Sequence, residues 1–89
     1  MEIILEGQKM LTKESFHKEL KEKLQLPDYY GNNLDALWDC LTGWVSLPIA
    51  IHWKDFSKVR NNLGLYADKA SKLMLDAQKD LSGFKIIID

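Results

Sequence analysis

The sequence of 89 residues is 46% hydrophobic and 28% charged, and its formal net charge at pH 7 is -1. This length predicts a single domain over residues 1–89, and the ordinary composition indicates neither a disordered nor a membrane-spanning chain. A single cysteine also excludes an intramolecular disulfide and a zinc site built on several thiolates.

The opening stretch, MEIILEG, places Glu2 and Glu6 around three apolar residues. A secretory signal has a basic start followed by a longer apolar run, so this stretch does not resemble one. We therefore expect a cytoplasmic protein.

Three short runs rich in β-branched residues predict strands, at residues 2–7, 48–53 and 84–89. Their apolar residues are consecutive rather than alternating, which favours strands buried on both faces or nearly so. Because helical segments separate the runs, the strands are expected to pair in parallel. The sequence thus predicts an α/β fold.

The first helix is predicted from about Lys13 to Leu24, with Thr12 as its N-cap and Pro27 closing it. Favourable pairs four residues apart, such as Glu19 with Lys23, lie on the charged side of this helix. We interpret the whole charged run as a solvent-exposed face.

Further helices are predicted over residues 33–42, over the segment that carries Phe56 and Val59 and stops at Gly64, and from about Tyr66 to Leu81. The apolar residues of the last helix recur on one face, and Met74 among them is interpreted as core filling. With the first helix, this makes about four helices.

The histidines and the cysteine suggest no site. His17 and His52 are far apart in sequence and have no metal-ligand spacing, so both are interpreted as incidental. Cys40 is interpreted as a small buried hydrophobic residue. No metal and no cofactor are expected.

The predicted helix over residues 33–42 has two distinct faces. The residues expected on the core side are Leu34, Leu37 and Leu41, with Trp44 just beyond. The residues that share the opposite arc are Asp35, Trp38, Asp39 and Thr42. A tryptophan is therefore expected on a face that should be exposed to solvent.

The second aspartate of this helix is unexplained by helix stability. Asn32 or Asn33 can cap the helix, and Asp35 gains from the positive end of the helix dipole. Asp39 lies in the second half, where the dipole disfavours it, and Asp35 one turn away repels it. No Lys, Arg or His lies between Leu24 and Ile51. The segment is therefore acidic without basic neighbours, which argues against direct nucleic-acid binding.

Three interpretations of this helix remain open. Its aspartates can be solvated residues beside a tolerated surface tryptophan, or part of a protein interface together with the preceding aromatic residues. We expect Tyr29 to point outward and Tyr30 to be partly buried. A catalytic acid and base pair is the least favoured, because an exposed helix face on a short chain offers little of a cleft.

The stretch LPDYYGNNLDALWDCLTGW closely resembles the barstar family, intracellular inhibitors of the secreted ribonuclease barnase. The resemblance extends to HKELKEKLQLP before it and PIAIHW after it, and the order of elements agrees to the C-terminus. It implies a two-layer α/β fold with a three-stranded parallel sheet and packed helices. It also implies a non-enzymatic protein, monomeric when free, whose partner is a ribonuclease of the barnase type.

The resemblance further implies a contact region, with Asp39 as its central anchor in the phosphate position of the nuclease. The residues carried over by position are Tyr29, Gly31, Asn33, Leu34, Asp35, Ala36, Trp38, Asp39, Thr42, Gly43 and Trp44, with Asp76 added from the last helix. The alternative is a module of the same fold that binds a different cationic toxin or a regulatory partner.

The chain also departs from the family pattern. Asn32 and Ser46 replace acidic residues, Asp76 replaces a longer acidic side chain, and Ser82 replaces a second cysteine. Fewer acidic groups should weaken long-range attraction more than the central contact. The family pattern also implies a cis peptide bond before Pro48.

Overall fold

The structure is a computed structural model that describes all residues, 1–89. It contains three strands and four helices, with a short 3-10 turn at Gly7–Lys9. In chain order, the elements are β1 (Glu2–Glu6), α1 (Lys13–Leu24), α2 (Leu34–Gly43), β2 (Ile49–Lys54), α3 (Phe56–Leu63), α4 (Leu65–Asp80) and β3 (Phe84–Ile88). Each predicted element is present, within about two residues of its expected bounds.

The three strands form one parallel sheet in the order β1-β2-β3. Ile3 of β1 aligns with Ile51 of β2, which aligns with Ile86 of β3. The connection between β1 and β2 contains α1 and α2, and the next connection contains α3 and α4. The predicted α/β fold with a three-stranded parallel sheet and four helices is confirmed.

The helices cover one face of the sheet. Leu5, Ile51 and Trp53 are fully buried on that face, where the Trp53 ring lies 5.9 Å from that of Phe16 in α1. The expectation that the strands are buried on both faces is wrong, because on the other face Ile4 and Ile87 remain nearly half exposed. Isoleucine favours the strand conformation even where one face meets solvent, so a continuous apolar run does not require two covering layers.

Helix α1 has the predicted start and end. The Thr12 hydroxyl accepts a hydrogen bond from the Ser15 N–H at 3.1 Å, and the Ser15 hydroxyl accepts one from the Thr12 N–H at 2.8 Å. This reciprocal cap satisfies two N–H groups that a helix start leaves unpaired. At the other end, Gln25 adopts a left-handed conformation with φ 52° and ends the helix.

One residue of the charged side of α1 is buried, which corrects the interpretation of the whole charged run as solvent-exposed. Glu19 is 3% exposed, and its carboxylate accepts a hydrogen bond of 2.9 Å from the N–H of Glu6 at the end of β1. Its predicted pairing with Lys23 is confirmed, at 3.3 Å. Glu19 is buried because it satisfies a backbone donor and keeps a cationic neighbour.

Gly7 allows the turn after β1 to contact the end of β2 and the start of α3. A Cβ atom at this position would overlap the carbonyl oxygen of Lys54, and would lie 2.7 Å from that of Asp55 and 2.8 Å from Cγ2 of Val59. Any larger side chain must therefore displace backbone atoms.

The peptide bond between Leu47 and Pro48 is cis, in agreement with the family resemblance. None of the four helices combines the length and the apolar composition needed to cross a membrane.

Candidate protein-binding site

Helix α2 is capped by Asn33. Its side-chain oxygen accepts a hydrogen bond of 2.7 Å from the Ala36 N–H, and its side-chain amide donates to the carbonyl of Gly31 at 3.2 Å. Asn32, the other candidate cap, instead adopts a left-handed conformation with φ 54°. Asn33 therefore fixes both the start of the helix and the loop before it.

The inner face of α2 is buried as predicted through Leu37 and Leu41, whereas Leu34 is half-buried. Cys40 is also buried, which confirms its interpretation as a small core residue. Burial, and then the nearby Asp39 carboxylate, raise the pKa of the Cys40 thiol, so this residue is poorly suited to act as a nucleophile.

Trp44 does not lie on the core side, which corrects the prediction. Its side chain is 48% exposed, and its indole N–H donates a hydrogen bond of 3.1 Å to the carbonyl of Gln25. Its ring also meets that of Tyr29 edge to face, with centroids 6.2 Å apart. These two contacts hold Trp44 at the surface, beyond the end of α2 at Gly43.

The outer face of α2 carries the predicted polar residues. Asp35, Asp39 and Thr42 are exposed, and Trp38 between them is half-buried. The Thr42 hydroxyl donates a hydrogen bond of 2.8 Å to the carbonyl of Trp38. Neither aspartate forms an ion pair or a side-chain hydrogen bond within the protein, so both carboxylates are available to a partner.

An open groove with a volume of about 470 Å³ runs between α2 and α4. The residues that line it from α2 are Leu34, Asp35, Trp38 and Asp39, and those from α4 are Lys69, Lys72, Leu73 and Asp76. The expectation that the acidic segment has no basic neighbour holds along the sequence but is wrong for the folded structure. Packing of α4 against α2 brings lysines from some thirty residues away to the same groove.

The loop before α2 places its two tyrosines differently. Tyr29 is 79% exposed, as expected, but Tyr30 is only 6% exposed and is thus more buried than predicted. The Tyr30 hydroxyl lies 2.7 Å from Nδ1 of His17, and Nε2 of His17 lies 2.6 Å from the Tyr66 hydroxyl. His17 is therefore not incidental, because it connects the loop to α1 and α4.

The buried histidine predicts a loss of stability in acid. Burial lowers the pKa of His17 to about 4 and raises the pKa of the Tyr30 and Tyr66 hydroxyls. The Lys13 ammonium lies close to this cluster, over the Tyr66 ring. The His17 imidazole takes up a proton near pH 6.5 in the unfolded chain but only near pH 4 in the folded chain. Acid therefore favours unfolding over that interval. We expect the contribution to the free energy of unfolding to be complete above pH 6.5. About 3 kcal/mol of it should be lost by pH 4.

Urea denaturation at several pH values between 7 and 4 measures this effect. His17→Gln, which keeps polar atoms near both tyrosines, should flatten the pH dependence over this interval. Ser57→Ala should leave the dependence intact, because Ser57 is an exposed residue of α3 that carries no titratable group. Parallel pH profiles for the native protein and His17→Gln would show that another group is responsible.

The remaining predicted contact residues lie at the two ends of α2 and do not line the groove. Gly31 and Ala36 lie with Asn33 at the start of α2, and Thr42 and Gly43 lie at its end. Sequence reasoning missed Lys69 and Lys72. Their spacing with Asp76 at three and four residues could have placed them on one face of α4, but not beside α2.

The arrangement offers acidic and aromatic side chains to a macromolecule. No group of three or more His, Cys, Asp or Glu side chains is close enough to hold a metal ion. The groove is open along its length, and Asp35 and Asp39 are exposed there. This geometry suits contact with a protein surface more than enclosure of a small substrate.

A three-stranded parallel sheet with four helices on one face, one of them acidic and exposed, is the architecture that the family resemblance implies. Residues 1–88 match the family model Barstar (barnase inhibitor), and the chain belongs to this family. The chain is also 50% identical over 88 residues to a Bacillus subtilis (strain 168) protein named "Putative ribonuclease inhibitor YrdF". That match covers 98% of this chain and 97% of the relative. Members of the family are inhibitors, and the protein is not an enzyme.

Proposed function

We propose that this protein inhibits a small, secreted, guanyl-preferring ribonuclease of the barnase type. In this proposal, α2 and the loop before it cover the active site of the nuclease. The observation that carries the proposal is the exposed Asp39 carboxylate, which lines the groove and has no partner within the protein. In this proposal residues 1–89 act as one domain, in the cytoplasm, and as a monomer until the nuclease binds.

Asp39 is proposed to occupy the phosphate position of the nuclease. A ribonuclease that stabilises a phosphate in its transition state needs cationic donors in one pocket. A carboxylate on a rigid helix can accept charge-assisted hydrogen bonds from those donors, yet it contains no bond that the enzyme can cleave. Asp35, one turn away on the same face, offers a second acceptor.

The aromatic residues are proposed to enlarge the contact around these carboxylates. Tyr29 and Trp44 form one exposed aromatic pair, and Trp38 lies between the two aspartates on α2. Large rings exclude water from the charged centre of an interface and so strengthen its hydrogen bonds. Gly31, held against Asn33, lets the backbone of the loop approach the partner closely.

The cap residue has two proposed roles. Asn33 fixes the start of α2, and it also lies within the contact region carried over from the family. Its interaction with the Ala36 N–H holds the helix and loop in one arrangement before the nuclease arrives. Such preorganisation reduces the entropy lost on binding.

Inhibition of RNA cleavage tests the proposal directly. Titration of a barnase-type ribonuclease with this protein should abolish cleavage of a guanosine-containing RNA near one inhibitor per enzyme. The association rate should fall with added salt, because opposite charges attract the two proteins over long range. Absence of inhibition at micromolar concentration would favour the alternative, a module that binds a different cationic toxin or a regulatory partner.

A further inference from the structure

The groove between α2 and α4 carries both signs of charge. Asp35 and Asp39 line it on one side, and Lys69 and Lys72 line it on the other. All four side chains belong to exposed residues. A partner that covers the groove therefore meets cationic and anionic groups within one contact area.

The two lysines are not neutralised by the aspartates of α2. No ion pair within 4.0 Å joins either lysine to Asp35 or Asp39, and Lys69 has no ion pair at all. Lys72 pairs with Asp76 on its own helix, at 2.9 Å between Nζ and Oδ2. That pair is exposed on both sides, and exposed pairs of this kind are weak and easily exchanged.

A uniformly cationic partner surface is a poor match for such a groove. Its basic groups would be attracted to the α2 side and repelled by Lys69 and Lys72, and repulsion grows when water is excluded from the interface. Asp76 can compensate for one lysine but not for both. A well-matched partner must place a negative group opposite α4.

We propose that Lys69 and Lys72 determine partner choice by binding a carboxylate on the nuclease beside its cationic active site. This inference rests on the proposed function and adds a second, oppositely charged contact to it. Asp35 and Asp39 take the cationic pocket, and the two lysines select, among similar nucleases, those with an acidic residue at the adjacent rim. Repulsion disfavours nucleases without such an acidic residue. Lys69 and Lys72 thus attract one group of nucleases and select against the rest.

A double-mutant cycle on inhibitor and nuclease tests the inference. The native protein, the double variant Lys69→Gln/Lys72→Gln and the control Lys58→Gln are titrated against a barnase-type ribonuclease by calorimetry. Lys58 is a suitable control because it is exposed on α3, has no ion pair and does not line the groove. The nuclease is used unchanged and as single variants that place glutamate at successive rim positions beside its active site.

The expected result is a coupling that depends on the nuclease. At one rim position or more, glutamate should lower the Kd of the native protein and of Lys58→Gln at least fivefold, and should not do so for the double variant. On a nuclease without a carboxylate there, the double variant should bind at least fivefold more tightly than the native protein.

Two results would overturn the inference, and they are distinguishable. If the native protein and the double variant bind every nuclease within twofold of each other, while Asp39→Ala still loses binding, the lysines have no selective role and the proposed function stands. If neither the native protein nor the double variant binds any of these nucleases, the proposed function fails and the inference fails with it.

Discussion

Replacement of Asp39 by alanine should raise the Kd for a barnase-type ribonuclease by about 30-fold to several thousandfold, equivalent to about 2–5 kcal/mol. The loss is large because the variant leaves the cationic groups of the nuclease pocket buried without their partner. The effect should appear mainly in the dissociation rate, since Asp39 acts in the formed complex rather than over long range. Surface plasmon resonance at physiological salt measures both rates.

The same substitution should not harm the fold. Asp39 is exposed, has no partner within the protein, and lies in the second half of α2 one turn from Asp35. Its removal relieves repulsion between the two carboxylates and an unfavourable position in the helix dipole. The thermal midpoint of Asp39→Ala should therefore equal or exceed that of the native protein.

Glu22→Ala provides a matched control, because it removes an exposed carboxylate from α1 that does not line the groove. Asp68 is less suitable, since its carboxylate accepts hydrogen bonds of 3.0 and 3.2 Å from Arg60. Equal affinities for Asp39→Ala and Glu22→Ala would refute the assignment of Asp39 as the central anchor.

Replacement of Gly7 by alanine should destabilise the protein by about 3 kcal/mol or more. The new methyl group would overlap the carbonyl oxygens of Lys54 and Asp55, which are backbone atoms that cannot rotate away. Relief requires separation of the turn after β1 from the start of α3. The free energy of unfolding from urea titration, at constant pH, measures the effect.

Gly43→Ala is the control for this experiment. A Cβ at Gly43 would meet no atom within 4 Å, and the residue ends α2 without a positive φ. Alanine there should stabilise the helix by up to about 1 kcal/mol. If Gly7→Ala unfolds at the same urea concentration as Gly43→Ala, the close packing around Gly7 does not constrain the fold.

The regular elements were predictable because their signals are local. Thr12 and Ser15 form a cap within one helical turn, and Gly64 ends α3 where a glycine is expected. The polar face of α2 followed in the same way from the helical period. Such features depend on residues three or four positions apart, which a sequence displays directly.

The wrong predictions for Glu19, His17 and the acidic segment concern contacts between distant segments. Glu19 is buried because a strand end needs an acceptor, and His17 is buried because two tyrosines meet it from other elements. Lys69 and Lys72 approach the acidic helix only through the packing of α4. A local sequence pattern does not show which charged groups face each other across a groove.

The hydrogen-bonded bridge from Tyr30 through His17 to Tyr66 connects the loop before α2 to a buried histidine whose pKa is lowered by burial. Two ligands that act on one structural element must influence each other equally in free energy. If protonation of His17 loosens the anchor of Tyr30, then a nuclease that holds the loop in place must oppose that protonation to the same extent. In the proposed complex the inhibitor should thus tolerate acid that unfolds the free protein, and protonation of the buried His17 would oppose nuclease binding without direct contact between the two.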